Sequence, residues 1–224
     1  LNQFPHDFAF LVGKQIIYML ATKAQPSLEG SEWEQVFANA INGEWKPSPV
    51  GLDDIVKGNC AWGAKSVKNI HPFTASSVRL ISGRNNPEYS FGFIADNDND
   101  IGKQVLDIWN ARVDEIRNKY AHARNVVLIK GLDWSEYAIF ELETLRYQPE
   151  LYQWRRNRNN NLEGHDKESG NHRFTWQRHG SQFTIIEDVP AERLKMRIRI
   201  PPVSSIDQLL DAIGFDSSWV QVVQ

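Results

Sequence analysis

The chain has 224 residues, of which 41% are hydrophobic and 24% charged, and its net charge is −3. That length and apolar content suffice for one domain, expected to span residues 1–224. A slightly acidic chain is not held on nucleic acid by bulk attraction, so any such contact needs a local basic patch. The single cysteine, Cys60, excludes an internal disulfide and a multi-cysteine zinc site. No apolar run approaches the ~20 residues that cross a bilayer. The opening LNQFPHDFAFLVGKQII lacks the basic start and small-residue cleavage site of a secretory signal. A soluble, cytoplasmic protein without a membrane partner is expected.

In chain order, residues 7–24 read as a helix, with Asp7 as N-cap and Phe8, Leu11, Val12, Ile16, Met19 and Leu20 on one face. Pro26 and Gly30 break it. Ser31 is expected to cap a second helix, SEWEQVFANAI, with Glu34 three residues on in a capping-box pattern and Trp33, Val36, Phe37, Ala40 and Ile41 as its buried stripe. Pro47 and Pro49 lead into Asp53-Asp54-Ile55, and the turn Lys57-Gly58-Asn59 leads on to the strand CAWGAKSVK. Residues 78–94 read as extended around the loop Gly83-Arg84-Asn85-Asn86-Pro87. A long helix follows, roughly residues 101–123 and including His122. NVVLIKGL then reads as a buried central strand, and YAIFELETL as a strand or short helix. FTIIEDV and LKMRIRIP alternate like strands. Between them and the core, residues 153–182 form a polar segment rich in Asn, Arg, His and Gly, part of it expected to order only on DNA. The order predicts an α/β core with a mixed sheet flanked by helices, about residues 30–150, and a C-terminal β-rich, polar-loop region holding an insert at about 151–182.

The densest chemistry lies between Asp53 and Lys68. If the DDI and CAWGAKSVK strands pair as a hairpin, a carboxylate and an amine meet at one end of a sheet. A hard cation such as Mg²⁺ takes oxygen ligands, commonly one or two carboxylates plus a substrate phosphate. Asp54 is the first ligand expected, Glu34 the second and Asp53 a reserve. Lys65 is the expected catalytic cation, favouring hydroxide and offsetting charge on a scissile phosphate. The bland reading has Asp53 and Asp54 ending a strand and Lys65 solvated. Against it, Lys65 sits in a strand with apolar flanks.

A helix bearing a Glu, an acid at a strand, a lysine on the paired strand, then a helix and a buried strand resembles the PD-(D/E)XK nuclease superfamily over roughly residues 30–130. Type II restriction endonucleases are its members of suitable size. The sequence departs from the pattern at Gly63, two positions before Lys65, where the family normally has Glu or Asp, and at Asp53, where it has Pro. The resemblance implies a Mg²⁺-dependent, site-specific endonuclease acting on double-stranded DNA as a homodimer, with no nucleotide cofactor. Two rivals remain: a nuclease of the same fold serving repair or defence without strict specificity, and a non-catalytic DNA-binding module.

DNA contacts are expected from Arg84, Asn85 and Asn86, whose side chains suit base-edge reading, though Gly, Asn and Pro also make turns on their own account. Further contacts are expected from Lys68, Arg155, Arg156, Arg173, Trp176, Gln177, Arg178 and Gln182. A metal site built from His165, Asp166, Asn171, His172 and His179 is a weaker reading. Cys60, in a core strand, reads as a small hydrophobe rather than a nucleophile. No phosphate-binding Gly-rich loop and no Gly-x-Ser-x-Gly elbow occurs.

Overall fold

The computed structural model describes residues 1–46 and 51–223. Pro47 and Pro49, expected to hold an extended connection, lie outside the described residues. The chain is a mixed α/β protein with two sheets. Its elements are α1 (Phe8–Thr22), α2 (Gly30–Ile41), β1 (Glu44–Trp45), β2 (Ile55–Lys57), β3 (Cys60–Asn69), β4 (Ser77–Arg84), α3 (Pro87–Phe91) and α4 (Asp98–Lys119). They continue as β5 (His122–Gly131), β6 (Glu136–Glu143), β7 (Tyr152–Arg156), β8 (Leu162–Asp166), β9 (His172–Gln177), β10 (Gln182–Asp188), β11 (Leu194–Arg197) and α5 (Ile206–Ala212).

The first sheet runs β1-β2-β3-β5-β6-β11, and its β3–β5 pair is parallel. A parallel pair needs a long crossover. Here the chain leaves β3 for the second sheet through β4 and returns along α4. The second sheet is antiparallel, in the order β4-β10-β9-β8-β7.

Each sheet face is covered for a reason legible in its side chains. Trp62, Ala64, Val126, Leu128 and Ile139 face Phe8, Val12, Ile16, Trp33 and Phe37 of the first two helices. On the opposite face Ala61 and Ala123 meet Trp109, Val113 and Ile116 of α4, and this cluster continues into Trp154, Phe174, Trp176 and Phe183 of the second sheet. Full burial of such side chains stabilises by roughly 1.5–3 kcal/mol each. Gly102 in α4 is required by this packing, because a Cβ there would lie 2.3 Å from the Trp154 indole.

Several local expectations change. The second helix starts at Gly30 with Glu29 as its N-cap, and the return partner is Glu32, which accepts from the Glu29 N–H at 2.7 Å. Ser31 is therefore inside the helix and Glu34 is released from capping. The long helix starts at Asp98, because Asn97 accepts from the Asp100 N–H at 2.9 Å. It ends at Lys119, so His122 opens β5 instead. Residues 87–91 form a short helix capped by the Asn86 side chain, and YAIFELETL is a strand. The polar segment is no loop insert: half of it builds β7, β8 and β9, with aromatic residues turned inward.

Candidate active site

The β2–β3 hairpin forms as the sequence suggests. Ile55 pairs with Trp62 and Lys57 with Cys60, around Gly58 at φ +56°. Asp54, just before β2, is buried at 3% exposure, and its carboxylate accepts from the Ala64 N–H of β3 at 3.2 Å. One residue on, Lys65 donates from Nζ to the Gly51 carbonyl at 3.1 Å. Gly51 holds φ +66°, a left-handed conformation that favours glycine.

Lys65 keeps only partial contact with solvent. Burial pushes its ammonium below the ordinary lysine range. The Asp54 and Glu34 carboxylates oppose that shift, while Arg112 of α4 adds to it. Asp54, Lys65 and Glu34 thus share one electrostatic neighbourhood, and Arg112 joins it. Glu34 reaches it half-buried from α2, with its carboxylate accepting from Trp45 Nε1 at 3.0 Å. Asp53 does not share it. Its carboxylate acts on Lys46 and Lys119, and one of its oxygens is buried without a hydrogen-bond partner.

Gly63 resolves the missing acid. A Cβ there would stand 2.7 Å from the Gly51 carbonyl oxygen, 3.0 Å from Asn125 Oδ1 and 3.3 Å from Leu52 Cα. Asn125 pairs with Gly63 in register and donates to Thr144 Oγ1 at 3.1 Å, which holds its oxygen towards the glycine. The space an acid would occupy is filled by neutral oxygens. Among the described residues no three His, Cys, Asp or Glu side chains come together as a metal cage. A hydrated Mg²⁺ does not demand one, since two carboxylates with waters suffice. Asp54 and Glu34 offer hard oxygen donors of the kind Mg²⁺ takes, and both charges act on the partly buried Lys65 amine.

Arg112 was not singled out in the sequence, and its role becomes visible at β4. Between Ile81 and Arg84 the strand carries a β-bulge: Ile81 pairs with Thr184 and Arg84 with Gln182. The extra residue lets Gly83 adopt φ +112°, and the Arg112 guanidinium fills the space where its Cβ would stand, at 2.3 Å. Arg112 donates to the Ser82 carbonyl and to Asn85 Oδ1, both at 3.0 Å. The bulge also keeps Arg84 on the exposed face, level with Gln182 and with Gln177 on the next strand. Three expected DNA contacts, Arg84, Gln182 and Gln177, are therefore neighbours at this strand end.

Other expected contacts move elsewhere. Asn85 is fully buried, donating to the Val105 carbonyl at 2.8 Å, so it is a core residue rather than a base reader. Trp176 is 2% exposed and donates from Nε1 to the Asn85 carbonyl at 2.7 Å. Asn86 is occupied by its capping bond to the Tyr89 N–H. Arg173 pairs with Glu187 at 2.6 Å and lies over Tyr147. Arg156 pairs with Asp98 at 2.9 Å. Lys68 projects to the α1–α2 face of the sheet, away from Lys65, with its ammonium 5.5 Å from the Trp134 ring. Arg155 and Arg178 are exposed.

The alternative centres weaken. Asp166 is spent on the Ser169 and Glu168 N–H groups of its own turn. Burial pushes the Cys60 thiol up to about 11, so it is protonated at neutral pH. A cleft of about 730 Å³ lined by Ser76, Tyr147, Tyr152, His172 and Arg173 contains none of Asp54, Lys65 and Glu34. No helix among the described residues is long and apolar enough to cross a membrane. No family model matches the chain, and neither the curated proteins nor the solved structures give a significant match.

Proposed function

We propose that the chain is a Mg²⁺-dependent endonuclease of double-stranded DNA, resembling type II restriction enzymes of the PD-(D/E)XK superfamily and acting as a homodimer. The observation that carries this reading is the half-buried Lys65, held at a glycine carbonyl within the field of Asp54 and Glu34. Perturbed titratable groups concentrate at functional sites, because burying a charge has a cost that a purely structural position avoids.

Asp54 and Glu34 would hold the cation. When bound, Mg²⁺ would act as a Lewis acid on the phosphate and make water a better nucleophile. The chain's own groups do the rest. The Gly51 carbonyl fixes the Lys65 Nζ, so its charge is pre-positioned for developing negative charge on the phosphate. Its depressed proton affinity makes it a better proton donor to a leaving oxygen than a free lysine. The Ala64 N–H orients Asp54.

The non-catalytic alternative draws on Gly63, but its packing argues the other way. A recent loss of Glu would leave a hollow, whereas Gly51 O and Asn125 Oδ1 already occupy that space. The test is nicking of supercoiled plasmid with Mg²⁺ by the parent and by Asp54→Ala, Lys65→Ala and Glu34→Gln. Loss of nicking in the first two variants, with duplex binding retained, is expected. Nicking by both at the parent rate would remove the assignment.

A further inference from the structure

The outer face of the second sheet carries charge that the catalytic reading does not use. Strand register sets Arg155, Glu163, Thr175, Thr184 and Ile81 in one row across all five strands. Their alternation partners Phe174, Trp176, Phe183 and Ile185 are buried on the inner side. Next to that row runs a chain of basic groups. Arg155 Nε donates to His165 Nε2 at 3.2 Å, His165 stacks on His172 at 5.0 Å between ring centroids, and His172 Nδ1 lies 3.5 Å from Arg79 NH2. A bulge between Gly164 and His165 brings the two imidazoles level on the same face.

The partners in this chain decide its meaning. Acids outnumber basic residues 28 to 25 in the sequence, yet neither Arg79 nor Arg155 has a carboxylate ion-pair partner among the described residues. Both contact imidazoles instead. His172 Nε2 lies 2.7 Å from the Phe174 carbonyl and His165 Nδ1 3.2 Å from the Gly170 carbonyl. In both rings the other nitrogen is the one that faces an arginine, at 3.2 Å for His165 and 3.5 Å for His172. An imidazole contact orients a guanidinium without giving it a carboxylate counter-charge. Glu163, the one acid of the row, stands opposite Arg155 in register, but its carboxylate is engaged by Asn157 at 2.8 Å and by His165 Nε2 at 3.6 Å.

We infer that the chain Arg79–His172–His165–Arg155 on the outer face of the second sheet is a docking site for a phosphodiester backbone, continuing along β4 to the exposed Arg84. The occupant is duplex nucleic acid, and the inference rests on the endonuclease reading for that identity. Arg79 and Arg84 lie five positions apart on β4, which spans roughly 17 Å of extended chain. That length reaches several phosphates of one duplex.

The experiment measures anisotropy of a short fluorescein-labelled duplex in EDTA, titrated across a salt series, with plasmid nicking in Mg²⁺ run in parallel. Arg79→Ala/Arg155→Ala should bind about tenfold more weakly at ~50 mM salt, and the slope of log K against log salt should shrink by roughly 2, one contact per arginine. Arg79→Lys/Arg155→Lys should keep most of the parent slope, which a merely structural role would not require. A parent that binds and nicks while the alanine variant matches its affinity and slope would overturn the docking site and leave the nuclease reading standing. A parent that binds with the arginine-dependent slope but never nicks would overturn the nuclease reading alone. A parent that binds no duplex would overturn both.

Discussion

Replacing Gly63 by glutamate would restore the acid that the superfamily pattern places two residues before the lysine, and on pattern alone it should improve a nuclease. The geometry predicts the reverse. A Cβ at position 63 stands 2.7 Å from Gly51 O, which belongs to backbone and cannot rotate away, and 3.0 Å from Asn125 Oδ1. Relief requires the Gly51–Leu52 segment to shift, and Leu52 is 1% exposed in the core. Overpacking of this kind costs roughly 1–3 kcal/mol. For a chain of this length about 2 kcal/mol lowers Tm by roughly 4–8 °C. The same shift withdraws the carbonyl to which Lys65 Nζ donates. Gly63→Ala should therefore lose both stability and nicking, and Gly63→Glu should lose more. Differential scanning fluorimetry beside the plasmid assay measures both. A Gly63→Glu protein with the parent Tm and equal or faster nicking would refute this account of the site.

Four further outcomes are expected. Lys65→Met should abolish nicking yet stabilise the fold at neutral pH, where burial makes the charged amine costly. Because folding lowers the lysine pKa from its ordinary 10.5, that cost is fully present below the lowered value and fades as pH rises to 10.5, so urea midpoints of variant and parent should converge in that window. Glu34→Gln should raise the Mg²⁺ concentration needed for half-maximal nicking while leaving Tm near the parent value; an unchanged Mg²⁺ requirement would remove Glu34 from the ligand set. Gly83→Ala should displace the Arg112 guanidinium and strain a φ of +112°, costing more than ~1 kcal/mol and slowing nicking without abolishing binding in EDTA. Asn85→Ala should cost roughly 1–3 kcal/mol in urea unfolding through unpaired buried groups and leave site preference unchanged; altered preference at parent stability would restore Asn85 as a base reader.

The legible parts of the fold were those whose periodicity points one way. Phe8, Val12, Ile16 and Leu20 are buried along one helix face, and the run from Asn125 to Gly131 lies in a central strand. The second sheet was harder to read because its outward positions are long and polar while its inward ones are aromatic. Arg155, Glu163 and Gln177 alternate with Trp154, Leu162 and Trp176, so a two-sided sheet resembles a basic, aromatic-studded loop. Asn85 and Trp176 were assigned by residue type, but their burial is set by Val105 and by each other, partners that no local pattern reveals.

The meeting of Asp54 and Lys65 was legible because a hairpin is local: the two are joined by one short turn. The position of Glu34 was not, since its charge is brought to act on Lys65 by the placement of a helix rather than by strand register. Helix α2 packs Trp33, Val36 and Phe37 onto Trp62 and Ala64, the two residues of β3 that alternate with Gly63 and Lys65, and the Glu34 charge acts on Lys65 from that helix. The packing that puts α2 over one face of β3 leaves Gly63 and Lys65 on the other, where Asn125 and Gly51 close around the glycine. A carboxylate at position 63 and this arrangement of Gly51 and Asn125 therefore exclude each other. A second acid for the proposed site would have to come from an element outside the hairpin, and Glu34 offers a carboxylate whose charge acts on Lys65.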